Sequence, residues 1–286
     1  MKRIKNWPFF IALNFLLLYN KTMIYNYHTH TPKCGHAYGE EENYIKISIA
    51  NGIKKLGFSD HIPFKHSDGK EKIFRVQEAM VGDYFKLLKS LKEKYKDQIE
   101  IYIGFETEYF PNYFNKMISD AINAGAQYFI LGQHSLNTDR NDGYDNLSYV
   151  DSRCFTEDNQ ILSNYVDSVI AAAKTGYISY VAHPDCIKFF GDSSVSNKEF
   201  ERMLIALKEL NVPVEINLLG IRTNRNYPRK DFWQIAGKVG TPVVIGMDAH
   251  QEIDAFDAKS LETAKEMIKE FNLNFISDYK PKLISK

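Results

Sequence analysis

A chain of 286 residues with 44% hydrophobic and 14% aromatic side chains carries enough apolar surface for one large core, which excludes an intrinsically disordered protein. Thirty-six basic residues balance thirty-six acidic ones, so no global field selects nucleic acid or an anionic membrane, although a local cationic pocket for a phosphate stays open. The three cysteines, Cys34, Cys154 and Cys186, are odd in number and far apart, which excludes a disulfide framework or a CxxC zinc site and fits a reducing cytoplasm.

At the start, Lys2, Arg3 and Lys5 precede an apolar run from Trp7 to Tyr19 that imitates a signal peptide. The run is short for a membrane span, Pro8 and Asn14 interrupt it, and no small-x-small cleavage site follows. We expect residues 1–22 to be an apolar extension, an over-extended start or a peripheral appendage, ahead of one domain over 23–286. No stable membrane association is expected, with a membrane anchor over residues 1–22 as the minority alternative. From residue 24 short apolar runs alternate with amphipathic stretches, the pattern of repeated βα units. Strands are expected over 24–30, 55–61, 99–105, 127–131, 178–182, 212–216 and 242–246. Apolar residues at helical spacing predict helices around 44–50, 84–95, 165–174, 200–207, 231–239 and 261–271. Residues 137–158, rich in Asp, Asn and Arg, read as one long loop. Seven strands with helices between them and no evident linker predict a single α/β domain, a closed parallel barrel. Its active site would sit at the C-terminal ends of the strands.

The polar residues at those ends point to one site. His28 and His30 alternate along an extended strand, so both imidazoles project to the same side. Of eight histidines, His28, His30, His36, His61, His134, His183 and His250 fall at or just past strand ends, and His66 lies further along its loop. With Glu106 and Asp248 they make nine candidate ligands, more than one tetrahedral zinc can use, and suit two or three divalent ions sharing a bridging carboxylate and water. Imidazole and carboxylate without thiolate are compatible with Zn, Fe or Mn. Cys34, between His30 and His36, is expected to be a small residue of the metal-site loop and not a ligand. Such a cluster lowers the pKa of bound water and clamps phosphoryl oxygens, so phosphoester hydrolysis is the expected chemistry.

Taken together, His28-Thr29-His30, His36, Ser59-Asp60-His61, Gly104-Phe105-Glu106, His134, Ala182-His183-Pro184-Asp185 and Asp248-Ala249-His250 resemble the polymerase-and-histidinol-phosphatase (PHP) family over residues 24–280. Ser59-Asp60-His61-Ile62-Pro63, Gly104 to Tyr109, and Glu215-Ile216-Asn217 followed by Gly220-Ile221-Arg222 are similar to its histidinol-phosphate phosphatases. The resemblance implies a distorted TIM-like (β/α)7 barrel and three metals. His28, His30, Glu106 and Asp248 would hold the first, and His36, His61 and His250 the second. Glu106 would bridge to the third with His134 and His183. It implies that L-histidinol phosphate, a step in histidine biosynthesis, is hydrolysed by a metal-bridging hydroxide, with Glu106 and Asp248 catalytic. It also implies a phosphate-binding arginine at Arg222.

Other residues are weaker candidates for holding the substrate. Arg153 and Arg225 are possible second donors for the phosphate, and His66 would reach the substrate from its loop. Asp185 would contact the substrate amine or protonate the leaving alkoxide, or else cap the following turn. Glu108 would support Glu106 from behind. Three alternatives stay open: a PHP phosphoesterase acting on nucleotides or nucleic-acid ends, a non-catalytic metal-binding module, and an amidohydrolase on a related barrel. The expected partner is a small phosphate monoester, with no nucleic acid; the sequence does not fix the oligomeric state.

Overall fold

The computed structural model describes residues 23–65, 71, 73–137, 147–151 and 155–284. The expectations for the 1–22 extension, His66 and Arg153 lie outside the described residues. Strand β1 (Tyr25–Asn26), helix α1 (Glu41–Ala50), β2 (Lys55–Phe58), α2 (Val81–Lys94) and β3 (Glu100–Ile103) open the chain as two βα units feeding a third strand. Gly104 then breaks one long strand into β3 and β4 (Phe105–Thr107), of which β3 pairs with β2 and β4 with β5 (Phe129–Leu131). A Cβ at Gly104 would lie 2.3 Å from the Tyr128 carbonyl, so only glycine lets the two strands approach there. Between β4 and β5 runs α3 (Phe114–Ala124), which the sequence reading passed over. Its buried Phe114, Met117, Ile118 and Ala121 recur at helical spacing. The expected long loop 137–158 instead carries an antiparallel ribbon of β6 (Ser135–Asn137) and β7 (Leu147–Tyr149).

The second half follows the expected alternation: α4 (Asn159–Lys174), β8 (Ile178–Val181), α5 (Ser193–Glu209), β9 (Val214–Asn217), the short α6 (Leu218–Arg222), α7 (Lys230–Val239), β10 (Pro242–Gly246), α8 (Ala258–Glu270) and β11 (Asn274–Phe275). Side-chain caps from Asp158, Asp192 and Asp257 fix the first turns of α4, α5 and α8. Two parallel sheets result, ordered β1-β2-β3 and β4-β5-β8-β9-β10-β11. Parallel bridges His61↔Glu106 and Thr29↔Ala249 link them at the C-terminal end of the strands. With β3 and β4 counted as one and the short C-terminal β11 set aside, seven strands of the described residues surround the core, a distorted barrel in agreement with the expected fold.

Lower along the seam between β10 and β1 the described residues form no ladder, and the C-terminal segment fills the gap. β11 pairs with β10, Tyr25 Oη donates to the Ile276 carbonyl (2.8 Å), and Tyr27 Oη donates to the Tyr279 carbonyl (3.0 Å). Tyr279 in turn donates to the Ser179 carbonyl at 2.6 Å. Tyr25, Tyr27, Tyr102, Tyr128 and Tyr279 form a contiguous aromatic cluster with ring centroids 5.6–6.1 Å apart. This plugs the N-terminal end of the barrel and leaves the other end for chemistry.

Candidate metal centre

The two bridges that link the sheets also bring the histidines together. At Thr29↔Ala249, His30 N donates to the Ala249 carbonyl (2.9 Å), which sets His28 and His30 beside Asp248 and His250. Asn26 Oδ1 locks the same register from below, accepting from His28 N and Met247 N, each at 3.1 Å. At His61↔Glu106 the second bridge sets those two side by side. His183 and Asp248 hold positive φ values of 32° and 47°, an unfavourable conformation for residues with a Cβ. Strain of this kind collects at functional sites that surrounding structure over-determines.

Three groups of ligand atoms converge on Glu106. In the first, His28 Nε2 lies 3.4 Å from both Glu106 Oε2 and Asp248 Oδ1, and His30 Nε2 lies 3.3 and 3.4 Å from the same two atoms. A tetrahedral ion ~2.0–2.1 Å from each ligand requires ligand–ligand edges of about 3.3–3.4 Å, so these spacings fit one. All four atoms are buried, and none has a hydrogen-bond partner. Orphaned polar atoms this deep would be costly unless a cation holds them. In the second group His61 Nδ1 is 3.2 Å from Glu106 Oε2, while the Nε2 atoms of His36 and His250 face each other at 3.0 Å. In the third, His134 Nε2 and His183 Nε2 each lie 3.1 Å from Glu106 Oε1. Glu106 therefore presents one oxygen to each side, the geometry of a bridging carboxylate. The nine predicted ligands are brought into one cluster.

Burial is graded across it. His28, His30, Glu106 and His183 are essentially inaccessible, whereas the His61, His134 and His250 side chains are 13–18% exposed. Burial alone would raise Glu106, but His61, His28, His134 and His183 outweigh it and hold the carboxyl well below its usual range. His28 and His250 lead the groups that do the same for Asp248, again against burial. Burial would lower His28, yet Asp248, Glu215 and Glu106 raise it to about 9. Burial, with His30 adding to it, lowers His36 to about 4. Without cations, the deep imidazoles hold protons that balance the carboxylates.

Glu215 and Asn217, singled out in the sequence without an individual role, and Asp151, which was not singled out, complete the cluster. His28 Nδ1 lies 2.9 Å from Glu215 Oε1, and His134 Nδ1 lies 3.0 Å from Asp151 Oδ2. A carboxylate behind an imidazole fixes its tautomer and ring orientation. Asn217 Nδ2 bridges Glu215 and Asp248, donating to each at 3.0 Å. Two glycines make room: a Cβ at Gly132 would fall 1.6 Å from Glu106 Oε1, and one at Gly246 would fall 1.7 Å from Glu215 Oε1. The expected support from Glu108 takes another form. Its Oε1 accepts from His134 N (3.1 Å), Ser135 N (2.8 Å) and Ser135 Oγ (2.7 Å), and it pairs with buried Arg75.

Above the cluster opens a cleft of about 250 Å³, the scale of a small metabolite. The geometry revises two expectations about its lining. Arg222 does not line it: its guanidinium donates to the Met247 (2.9 Å) and Asp248 (2.7 Å) carbonyls and pairs with Asp254 at 3.2 Å. It thereby braces the turn that carries Asp248. Among the described residues, the arginines that do line the cleft are Arg75 and Arg225, and Arg225 donates to Tyr227 Oη at 3.0 Å. Asp185 likewise faces away, accepting from Arg229 N at the start of α7 and from Trp233 Nε1 (3.1 Å). Burial raises its carboxyl to about 6.

Comparison with known proteins supplies an independent measure. The PHP domain model matches residues 26–218. A Deinococcus radiodurans protein named "Probable histidinol-phosphatase" is 24% identical over 227 residues, 78% of this chain and 85% of its own length. The histidinol-phosphatase of Bacillus subtilis is 24% identical over 250 residues, 79% of this chain and 93% of its own. The Lactococcus lactis histidinol phosphate phosphatase, solved with zinc, L-histidinol and phosphate, superposes with a TM-score of 0.67 at 17% identity. That match covers 89% of this chain and 95% of the other.

Proposed function

Because the chain belongs to the PHP domain family, we propose that it is a metal-dependent phosphatase releasing phosphate from L-histidinol phosphate, a reaction of histidine biosynthesis. The observation that carries this reading is Glu106, set between five imidazoles with one oxygen toward each side, beside Asp248 and beneath a cleft of metabolite size. The similarity to the histidinol-phosphatase of Bacillus subtilis and to the Lactococcus lactis enzyme solved with L-histidinol and phosphate supports the substrate. Two or three divalent cations of the Zn, Mn or Fe kind fit the donor set, and when bound they supply a water of lowered pKa and a clamp for phosphoryl oxygens. His28, His30, Glu106 and Asp248 would hold one ion, His36, His61 and His250 a second, and His134, His183 and Glu106 a third.

The chain's own residues do the rest. Glu215 and Asp151 orient His28 and His134 from behind, and Asn217 holds Glu215 and Asp248 in place. Arg225, at the cleft, binds the phosphate through charge-assisted donors, the role the sequence reading gave to Arg222. The catalytic domain is read as 23–286, in a reducing cytoplasm to which the cysteine usage is suited; no helix among the described residues is long and apolar enough to cross a membrane. The decisive assay is phosphate release from L-histidinol phosphate beside nucleotides and sugar phosphates, with Mn- or Zn-loaded protein and a chelated control. Strong preference for histidinol phosphate, lost on chelation, is expected. Chelator-sensitive activity on other esters alone would keep the chemistry and sink the substrate, and no activity despite bound metal would favour a non-catalytic module.

A further inference from the structure

Hydrolysis of an alkyl phosphate builds negative charge on the departing oxygen, and a fixed donor aimed at that oxygen lowers the barrier. Asp185, expected from the sequence to serve the leaving alkoxide, is spent instead on Arg229 N and Trp233 Nε1. Other polar side chains of the cleft, outside the nine ligands, are engaged as well. Asp151 holds His134, Glu108 accepts from His134 N and Ser135, and Arg75 pairs with Glu108 and donates to the Ile62 carbonyl at 3.3 Å. Tyr227 is different. It lines the cleft at 2% exposure, with its ring centroid 5.7 Å from that of His183. Among the described residues, the one hydrogen bond of its hydroxyl is accepted, from Arg225 Nη1 at 3.0 Å. A hydroxyl carries one proton and two lone pairs; with Arg225 on a lone pair, the O–H is left to donate into the cleft. The chain around Tyr227 is fixed on several sides. Arg225 N donates to the Gly220 carbonyl and Asn226 Nδ2 to the Cys186 carbonyl, each at 3.0 Å. A Cβ at Gly220 would fall 2.4 Å from the tyrosine ring, so the ring packs on the bare backbone of α6. A donor held in this way needs no reorganisation when charge develops beside it.

We propose that Tyr227 is a further catalytic residue, whose hydroxyl donates a hydrogen bond to the bridging oxygen of the ester, the atom that leaves with the alcohol. Arg225 holds the phosphate and, through Tyr227 Oη, sets the direction of that donor. The proposal rests on the phosphatase reading and not on histidinol being the alcohol. Its test compares kcat of the metal-loaded parent and its Tyr227→Phe variant on two esters. L-Histidinol phosphate must release an alkoxide, a poor leaving group, whereas p-nitrophenyl phosphate releases a phenolate that departs without help. Removing one such donor costs about 10²- to 10³-fold in kcat. The alkyl-to-aryl ratio of kcat should therefore fall by that factor, with metal content and urea midpoint near the parental values. Both esters slowed equally would make Tyr227 a packing or phosphate-binding residue and overturn the proposal, as would a variant that slows on neither. If Tyr227→Phe fails to fold or to hold metal, Tyr227→Met, which also fills the space without a donor, takes its place and the same ratio decides. A parent inactive on histidinol phosphate but active on glycerol phosphate sinks the substrate alone, and glycerol phosphate then serves as the alkyl ester. A parent that hydrolyses no ester sinks the phosphatase reading and this proposal with it.

Discussion

Arg222 and Arg225 lie three residues apart, but the structure gives them different work. Arg225 lines the cleft, whereas Arg222 is saturated by two carbonyls and Asp254. Hydrogen bonds to charged groups are worth about 1.5–3 kcal/mol, so Arg225→Met should raise KM for the phosphate ester by about 10- to 100-fold, with metal content unchanged. Arg222→Met should instead lower the unfolding free energy by about 1–3 kcal/mol and weaken metal retention through the turn that carries Asp248. Steady-state kinetics, metal analysis and urea melts on both variants separate the roles; equal KM effects would restore the phosphate to Arg222. The motif Gly220-Ile221-Arg222 marked an arginine near the phosphate, but the carboxylates that compete for it, Asp254 and Asp257, come from more than thirty residues away.

At the scale of elements, the segment from β11 to residue 284 acts as a strap across the open seam. It takes hydrogen bonds from Tyr25, Tyr27 and Ser179, returns one from Tyr279, and joins Ile284 N to the Gln127 carbonyl. Five bonds at about 0.5–1.5 kcal/mol each, with tyrosine rings re-exposed besides, are a large share of ordinary domain stability. A chain ending at Leu273 should therefore melt several degrees lower, while the protein that remains folded binds metal normally. Unchanged melting would show that the tyrosine plug closes the barrel without help. Strand-end chemistry at one end and stabilising contacts at the other is the division expected of parallel barrels. Helix α3 was readable from its own spacing, whereas the ribbon β6–β7 was not: its strands are three residues long and are held by pairing across a polar stretch.

For the molecule as a whole, the cluster couples folding, protons and metal. In metal-free protein His28 sits at about 9, against an ordinary value of 6.5, and His30 and His183 are raised as well. Groups raised in this way contribute stability that is fully present below pH 6.5 and is lost as pH rises through their folded values. Chelated protein should thus become less stable between about pH 7 and pH 9, read as a falling urea midpoint, while metal-loaded protein should not. Over the same window zinc affinity should rise, because each ion displaces fewer protons. A chelated protein equally stable at pH 6.5 and 9 would mean that the deep imidazoles are neutral without metal.

The sequence by itself determined the α/β barrel, the strand ends and the nine residues that converge there. Those signals are local: period-two alternation puts His28 and His30 on one face, and apolar runs followed by polar residues mark where strands stop. Tertiary structure alone decided what stands behind and above those ligands. Glu215 meets His28 across 187 positions, and Asp185 turns to the start of α7 across 44. Arg225 reaches the cleft while Arg222 braces the turn that carries Asp248. Such choices depend on which distant donor or acceptor is left unpaired when the barrel closes, a competition that spacing along the chain does not encode.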